Sequence, residues 1–350
     1  MMDAGESLYS ERSTRVSAIA FKLRHREAFA IQHGSRSHTD VLFLKLESEG
    51  IATFGEASLP PYLKWDAPQV MRQWREVHWQ KLLRMDMEEA LQYLRFAMPA
   101  GPARAALDIA LHDLYARRKQ LPLSALLGVA RPERLATSFT IGICESEAEL
   151  ALKINKGRAF QSAKLKLGSD RDAASIAQFC KGWKGAFGVD VNQGWKDRDK
   201  AAFFCEQLPR DRVLYVEQPM PEERDEDMMW LRERFELPFV ADESVAELSD
   251  LQKRLALFDG FNIKLMKCGG FSEAMDMMKF CRDQNKRILV GSMVESSCGI
   301  AAGAHLATGS DWADLDATLM LAEDPFEGLV VDRGCLSIKG RLGMGVKPRA

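Results

Sequence analysis

The sequence predicts an α/β fold: a parallel eight-stranded β/α barrel preceded by an N-terminal α+β domain. Three observations carry that prediction. After residue 131, short apolar strand candidates recur at regular intervals, each followed by a helical stretch. There are eight of them, the number that closes a β/α barrel. Charged residues gather at their C-terminal ends, where such barrels carry their chemistry. An open doubly wound sheet is the alternative, but no Gly-rich phosphate loop follows a strand.

The first 15 residues read as loosely ordered. VSAIAFKL and DVLFLKLES alternate like strands around a Gly/Ser/His-rich joint, QHGSRSHT, and make an antiparallel ribbon. Residues 67–97 place Val70, Trp74, Val77, Leu82 and Leu83 at near-helical spacing. PAGPARAALDIALHDLYARRKQ opens on Pro and Gly and continues as an amphipathic helix. The barrel candidates follow: SFTIGI (138–143), SAKLKL (162–167), FGVDV (187–191), VLYVE (213–217), PFVADE (238–243), FNIKL (261–265), RILVGS (287–292) and ADLDA (313–317). GRLGMG (340–345) lacks a strand–helix setting and reads as a turn.

With 350 residues the chain has room for about two domains. Its 48 Lys+Arg against 50 Asp+Glu leave a net charge of −2. That balance argues against a nucleic-acid-binding surface and against a polybasic membrane anchor. No apolar run approaches the roughly 20 residues of a spanning helix. MMDAGESLYSERSTR lacks the apolar stretch of a secretory signal. The seven cysteines include no CxxC pair, which suits reduced thiols in a cytoplasmic protein.

Charge is costly in strands buried on both faces. Asp190, Glu217 and Asp242 nevertheless end three successive strand candidates, 27 and 25 residues apart. That spacing is one β/α unit each time, so the three stand side by side. Such a trio repels itself unless a cation neutralises it, and oxygen ligands suit Mg²⁺ first, with Mn²⁺ as a substitute. Lys164 and Lys166 alternate around Leu165 and face the barrel interior together. Lys264 arrives from strand six, across the ring. Two lysines on opposite sides can reach opposite faces of one carbon. A neighbouring dication and like charge lower a lysine pKa, as a base near neutral pH requires. Lys267 lies three residues further on and is expected to leave the interior. Asp314 and Asp316 alternate on the last strand and face inward, where a ligand ammonium suits them.

These residues resemble the enolase superfamily, in its muconate lactonizing subgroup. The carrying motifs are SAKLKLG (162–168), VDVNQGW (189–195), VEQPM (216–220), ADES (241–244) and NIKLMKCGG (262–270). The resemblance implies a modified (β/α)7β barrel over 131–321. It also implies a capping domain over 1–130, completed by residues 322–350. Enolase-superfamily sites use a Lys or His base with Mg²⁺. DLDATLML (314–321), TIGI (140–143) and GSMVESSCGI (291–300) are similar to dipeptide epimerases within the group. There the Asp-x-Asp pair holds the α-ammonium of a dipeptide.

The resemblance implies Mg²⁺ on Asp190, Glu217 and Asp242. Lys166 and Lys264 are then the acid/base pair, and Lys164 adds positive charge. Thr140, Lys164, Ser292, Met293, Asp314 and Asp316 face the substrate; Asn192, Glu243 and Glu295 orient their neighbours. The implied reaction inverts the α-carbon of the C-terminal residue of a dipeptide such as L-Ala-D/L-Glu. It proceeds by 1,1-proton transfer through an ene-diolate and serves peptidoglycan peptide metabolism. A homo-oligomer is also implied. The same lysine pair would serve an o-succinylbenzoate synthase or muconate cycloisomerase, but those substrates carry no ammonium for Asp314 and Asp316. A barrel that only binds a ligand would not need the full set of carboxylates and lysines. The joint after the first strand is expected to close over the barrel mouth. Arg26, His33, Arg36 and His38 there assign no side-chain specificity.

Overall fold

A computed structural model describes residues 5–11, 13–31 and 34–349, with backbone alone at 28–31 and 35. Four antiparallel strands open the chain: β1 (Glu6–Glu11), β2 (Thr14–Ile31), β3 (Gly34–Ser48) and β4 (Ile51–Ser58), hydrogen-bonded in that order. Residues 6–11, expected to be loosely ordered, are therefore a paired edge strand. The joint after the first sequence-predicted strand is also shorter than expected. β2 and β3 continue as a ladder out to Ile31 and Gly34, with one irregularity between Arg24 and Phe29. Polar residues in QHGSRSHT hid this pairing, because an arm that leaves the core needs no apolar alternation.

β3 shows why DVLFLKLES reads as nearly continuous apolar sequence. Val41 and Phe43 belong to the barrel-side core. Leu42, Leu44 and Leu46 belong to a second core under the helices Ala67–Glu76, Met87–Ala97 and Pro102–Arg118. With both faces of the sheet buried, period two leaves little polar. The long helix lies so close to β4 that a Cβ on Gly55 would sit 1.7 Å from the Ala106 carbonyl oxygen.

Eight parallel strands follow: β5 (Phe139–Ile141), β6 (Ser162–Lys166), β7 (Ala186–Asp190), β8 (Val213–Glu217), β9 (Phe239–Ala241), β10 (Gly260–Ile263), β11 (Arg287–Gly291) and β12 (Trp312–Asp314). They pair in sequence order. The ring is nearly closed: Ser138 N–H donates to the Ala313 carbonyl at 3.1 Å and Leu315 N–H to Thr137 Oγ1 at 2.8 Å. Helices occupy the seven connections, and a 3₁₀ turn (Ala317–Met320) follows β12 where an eighth helix would stand. The fold is the (β/α)7β barrel with an N-terminal antiparallel sheet domain. The helix before β10, Leu248–Lys253, has only 6 residues.

The last strand stops earlier than the sequence suggests. β12 ends at Asp314, and Asp316 precedes the 3₁₀ turn. The chain then returns to the N-terminal sheet. Phe326 is buried between Phe43 and Phe54, with ring centroids 5.1 and 5.4 Å away. Met344 N–H donates to Asp113 Oδ1 on the long helix at 2.6 Å. The GRLGMG stretch is a turn packed on that helix. Among the described residues no helix is long and apolar enough to cross a membrane.

Phe326 fills a site shared by the C-terminal segment and the sheet. Phe326→Ala is expected to cost about 3 kcal/mol, measured by denaturant unfolding with an unchanged m-value.

Candidate active site

Parallel pairing puts residues of equal depth side by side. Lys166 pairs with Asp190 and Asp190 with Glu217. Val240 pairs with Glu217, so Asp242 follows two residues above that level. Carboxylate oxygens of Asp190, Glu217 and Asp242 consequently lie within 4.8 Å of one another, and all three residues are buried. Glu217 Oε1 accepts from Asn262 Nδ2 at 2.7 Å. Its Oε2 is buried without a hydrogen-bond donor. The Lys164 ammonium is 2.8 Å from that oxygen, a close ion contact outside hydrogen-bonding alignment. Three converging oxygen donors, one of them short of a partner, fit a hard divalent cation.

The lysines share this charge among them. Lys164, 1 % exposed, contacts Asp190 at 3.0 Å and donates to Asp314 Oδ2 at 2.7 Å. Lys166 donates to Asp190 Oδ2 at 2.5 Å and Asn192 Oδ1 at 3.2 Å. Lys264 donates to Asp242 Oδ2 at 2.6 Å. Lys267 is not turned outward. It donates to Asp242 Oδ1 at 2.6 Å and to the Asp242 carbonyl at 2.5 Å. The strand ends at Ile263 and one helical turn, Leu265–Cys268, carries Lys267 back over the rim. Strand alternation could not show that reversal.

Burial disfavours every charge here, and the balance differs by site. Burial resists ionisation of Asp190, but Lys164 and Lys166 hold it at about 2. Burial likewise resists at Asp242, but Lys264 and Lys267 hold it well below the usual carboxylate range. Burial, then Asp190, pushes Glu217 up to about 8. Burial pulls Lys164 down, yet Asp190, Asp314 and Glu217 outweigh it and hold the ammonium well above its ordinary value. Burial is outweighed in the same direction at Lys264 by Asp242 and Glu217. At Lys164 and Lys264 the lowered pKa expected from like charge is therefore not what the protein groups alone produce, because carboxylates dominate there.

Asp314 and Asp316 converge although only Asp314 is on the strand. Both accept from Thr140 Oγ1, at 3.2 and 2.9 Å, and Thr140 N–H donates to Asp316 Oδ2 at 2.7 Å. Asp314 also accepts from Ser138 at 2.7 Å. Burial, then Asp314, pushes Asp316 up to about 7. Thr140, Ser292, Met293, Asp314 and Asp316 line one cavity with Lys164, Lys166, Lys264 and Asp242, about 510 Å³ in volume. Asn192 and Glu243 lie at its edge, with Asn192 Nδ2 donating to Glu243 Oε1 at 3.1 Å. Glu295 sits behind the wall, accepting from Met293 N–H at 2.8 Å.

Sequence reasoning missed Gln218, Asn262 and Tyr62. Gln218 Oε1 accepts from Asp242 N–H at 3.0 Å and Ser244 Oγ at 2.7 Å, tying two rims. Its φ is 37°, and Asn192 and Gln193 have φ of 46° and 66°. Left-handed backbone at three non-glycine residues beside the carboxylates is strain held by the surroundings. Tyr62 comes from the N-terminal part and lines the cavity. Arg36 stacks over Tyr62 at 5.4 Å. His38 lies 3.9 Å from Asp40, Arg26 is exposed, and His33 falls outside the described residues.

Comparisons with known proteins agree with this geometry. Residues 15–128 match the mandelate racemase / muconate lactonizing enzyme N-terminal domain, and 146–350 the enolase C-terminal domain-like family. The chain belongs to the mandelate racemase/muconate lactonizing enzyme family of the enolase superfamily. It is 34% identical to an L-Ala-D/L-Glu epimerase of Bacteroides thetaiotaomicron, over 95% of this chain and 87% of the relative. A substrate-liganded L-Ala-D/L-Glu epimerase from Bacillus subtilis superimposes with a TM-score of 0.89 at 26% identity, covering 96% of this chain and 99% of the other. A dipeptide epimerase from Enterococcus faecalis, complexed with Mg and L-Leu-L-Tyr, gives 0.87 at 26% identity, covering 95% and 98%. In this family member the metal-type carboxylates and opposed lysines thus occur together with an inward Asp pair.

A titration separates the buried Asp316 from its neighbours. Its folded pKa of about 7 exceeds the unfolded value of 3.8. Its contribution is therefore full below the unfolded value and is lost as pH rises through the folded one. Asp316→Asn, which stays neutral, should gain stability relative to the parent between about pH 5 and about pH 8. Denaturant unfolding at both pH values checks this; an unchanged difference contradicts it.

Proposed function

We propose that this chain is a Mg²⁺-dependent dipeptide epimerase that inverts the α-carbon of the C-terminal residue. The observation that carries this reading is the opposed lysine pair. Lys166 ends β6 and Lys264 follows β10, four strands apart in an eight-strand ring, and both line one cavity. Asp190, Glu217 and Asp242 are the residues that would hold the metal. Bound there, Mg²⁺ supplies positive charge for the substrate carboxylate and offsets the carboxylate pull on the lysines.

Lys166 and Lys264 then divide the reaction by face. One removes the α-proton, and the other delivers a proton to the opposite side. Each epimer uses them in the opposite order. Lys164, buried and held cationic, stabilises negative charge on the substrate carboxylate carbon's oxygens. Asp314 and Asp316 take the α-ammonium, which fixes the dipeptide's register; Thr140 orients both carboxylates. Ser292 and Met293 form the wall beside Lys264. Asn192 and Glu243 steady Lys166. Residues 1–130 with 322–350 act as the cap, and 131–321 as the catalytic barrel. L-Ala-D/L-Glu is the first substrate to test, since relatives carry that name.

Incubation of a dipeptide panel with enzyme and Mg²⁺ in D₂O should give deuterium at the C-terminal α-carbon and the inverted epimer, without elimination. No exchange with any dipeptide would overturn the reading; elimination products would move it to a lyase. Lys166→Ala and Lys264→Ala should each lower epimerisation by at least about 10²-fold, while each retains exchange from one epimer only. Chelation of the metal should abolish exchange, and Mg²⁺ should restore it.

A further inference from the structure

Among the contacts between the N-terminal part and the barrel, one short run of hydrogen bonds joins β4 and the turn after it to the segment that follows β11. Glu56 of β4 is fully buried and accepts four hydrogen bonds from the barrel. Ser296 N–H donates to its Oε1 at 2.9 Å and to its Oε2 at 3.2 Å; Ser296 Oγ and Gly299 N–H donate to Oε2 at 2.6 and 2.9 Å. Two residues on, Ser58 Oγ donates to the Val294 carbonyl at 2.8 Å. Tyr62 Oη then donates to Met293 Sδ at 3.4 Å. Positions 56, 58 and 62 thus grip 296, 294 and 293 in antiparallel order.

The gripped segment is the cavity wall. Ser292, Met293 and Val294 line the cavity, directly after β11. Lys264 lies against the same strand: a Cβ on Gly291 would meet Lys264 Cε at 3.1 Å. Lys166 has none of these neighbours; its partners are Asp190 and Asn192 on the far side. The arrangement is also costly. Burial pushes Glu56 up to about 7, and burial with Glu56 pushes the adjacent Glu295 up to about 8. A pair of buried carboxyls is a poor way to gain stability. It is a good way to fix a segment, because several donors converge on one rigid acceptor.

We infer that Glu56 is a positioning residue: by pinning Ser296 and Gly299 it holds the 292–294 wall, and through that wall the placement of Lys264 against the substrate α-carbon. The inference rests on the epimerase reading above. It makes the two half-reactions unequal in their dependence on the N-terminal part. The half served by Lys264 needs the latch, and the half served by Lys166 does not. Displacement of one catalytic group by about 1 Å is enough to cost up to about 10²-fold.

Glu56→Gln keeps the shape but, with its amide oxygen in the Oε2 position, turns an NH₂ toward the Ser296 N–H, which loses its acceptor there. Ser58→Ala is the milder variant, should Glu56→Gln fail to fold. Each epimer is incubated separately in D₂O; the Lys166→Ala and Lys264→Ala patterns identify which epimer each lysine serves. Exchange from the epimer served by Lys264 should fall about tenfold, equivalent to roughly 1.4 kcal/mol. Exchange from the other epimer should change by less than about twofold. Equal loss from both epimers, or no loss in either variant, overturns the inference. If the unaltered enzyme exchanges no dipeptide, the epimerase reading fails separately. Amide hydrogen exchange then decides the latch: protection lost selectively over 292–299 supports it, and unchanged protection there overturns it.

Discussion

Three carboxylates buried side by side cannot persist without compensating charge, and much of the barrel mouth follows from that constraint. Asp190, Glu217 and Asp242 come from adjacent strands whose pairing leaves them no freedom to separate. Lys164 neutralises part of the cluster from below, while Lys166, Lys264 and Lys267 approach from the sides. Glu217 remains the least satisfied member, with one oxygen lacking a hydrogen-bond donor. The protein therefore holds a charge arrangement that a divalent cation completes. The near-neutral balance of 48 basic and 50 acidic residues conceals this local concentration of both signs.

Chemistry and support occupy different parts of the ring. The lysines face one another across the barrel, as removal and delivery of a proton on opposite faces require. The N-terminal part grips mainly the Lys264 half. Besides the Glu56 contacts, Asp108 on the long helix accepts from Phe271 N–H at 2.7 Å and Ser272 Oγ at 2.5 Å. Arg104 donates to the Cys268 carbonyl at 2.6 Å. Both reach the segment immediately after Lys264 and Lys267. The Lys166 half is instead steadied within the barrel, by strained backbone at Asn192 and Gln193 and by the Asn192–Glu243 contact.

Much of the centre was legible in the sequence because it obeys two periodicities. Strand alternation put Lys164 and Lys166 on one face, and the repeat of the β/α unit put Asp190, Glu217 and Asp242 in a row. What escaped lies where those periodicities stop. Strand spacing sends Lys267 outward, but a helical turn starts right after Lys264 and reverses it. The alternation in ADLDA carries Asp316 onto a strand that ends two residues earlier, though its carboxylate still meets Asp314 at Thr140. The polar joint between the first two ribbon strands looked like a loop because its pairing carries no apolar signature. The Glu56–Ser296 contact spans 240 residues, and no local pattern encodes it.

The central claim is that two different bases act on opposite faces of one carbon. One pure epimer converted in D₂O, with the first product examined by proton NMR, tests it most directly. The account predicts that the first product formed already carries solvent deuterium at the inverted α-carbon, because the delivering lysine is not the one that took the proton. Product that keeps its original α-protium would show a single base working both faces, and would contradict the account.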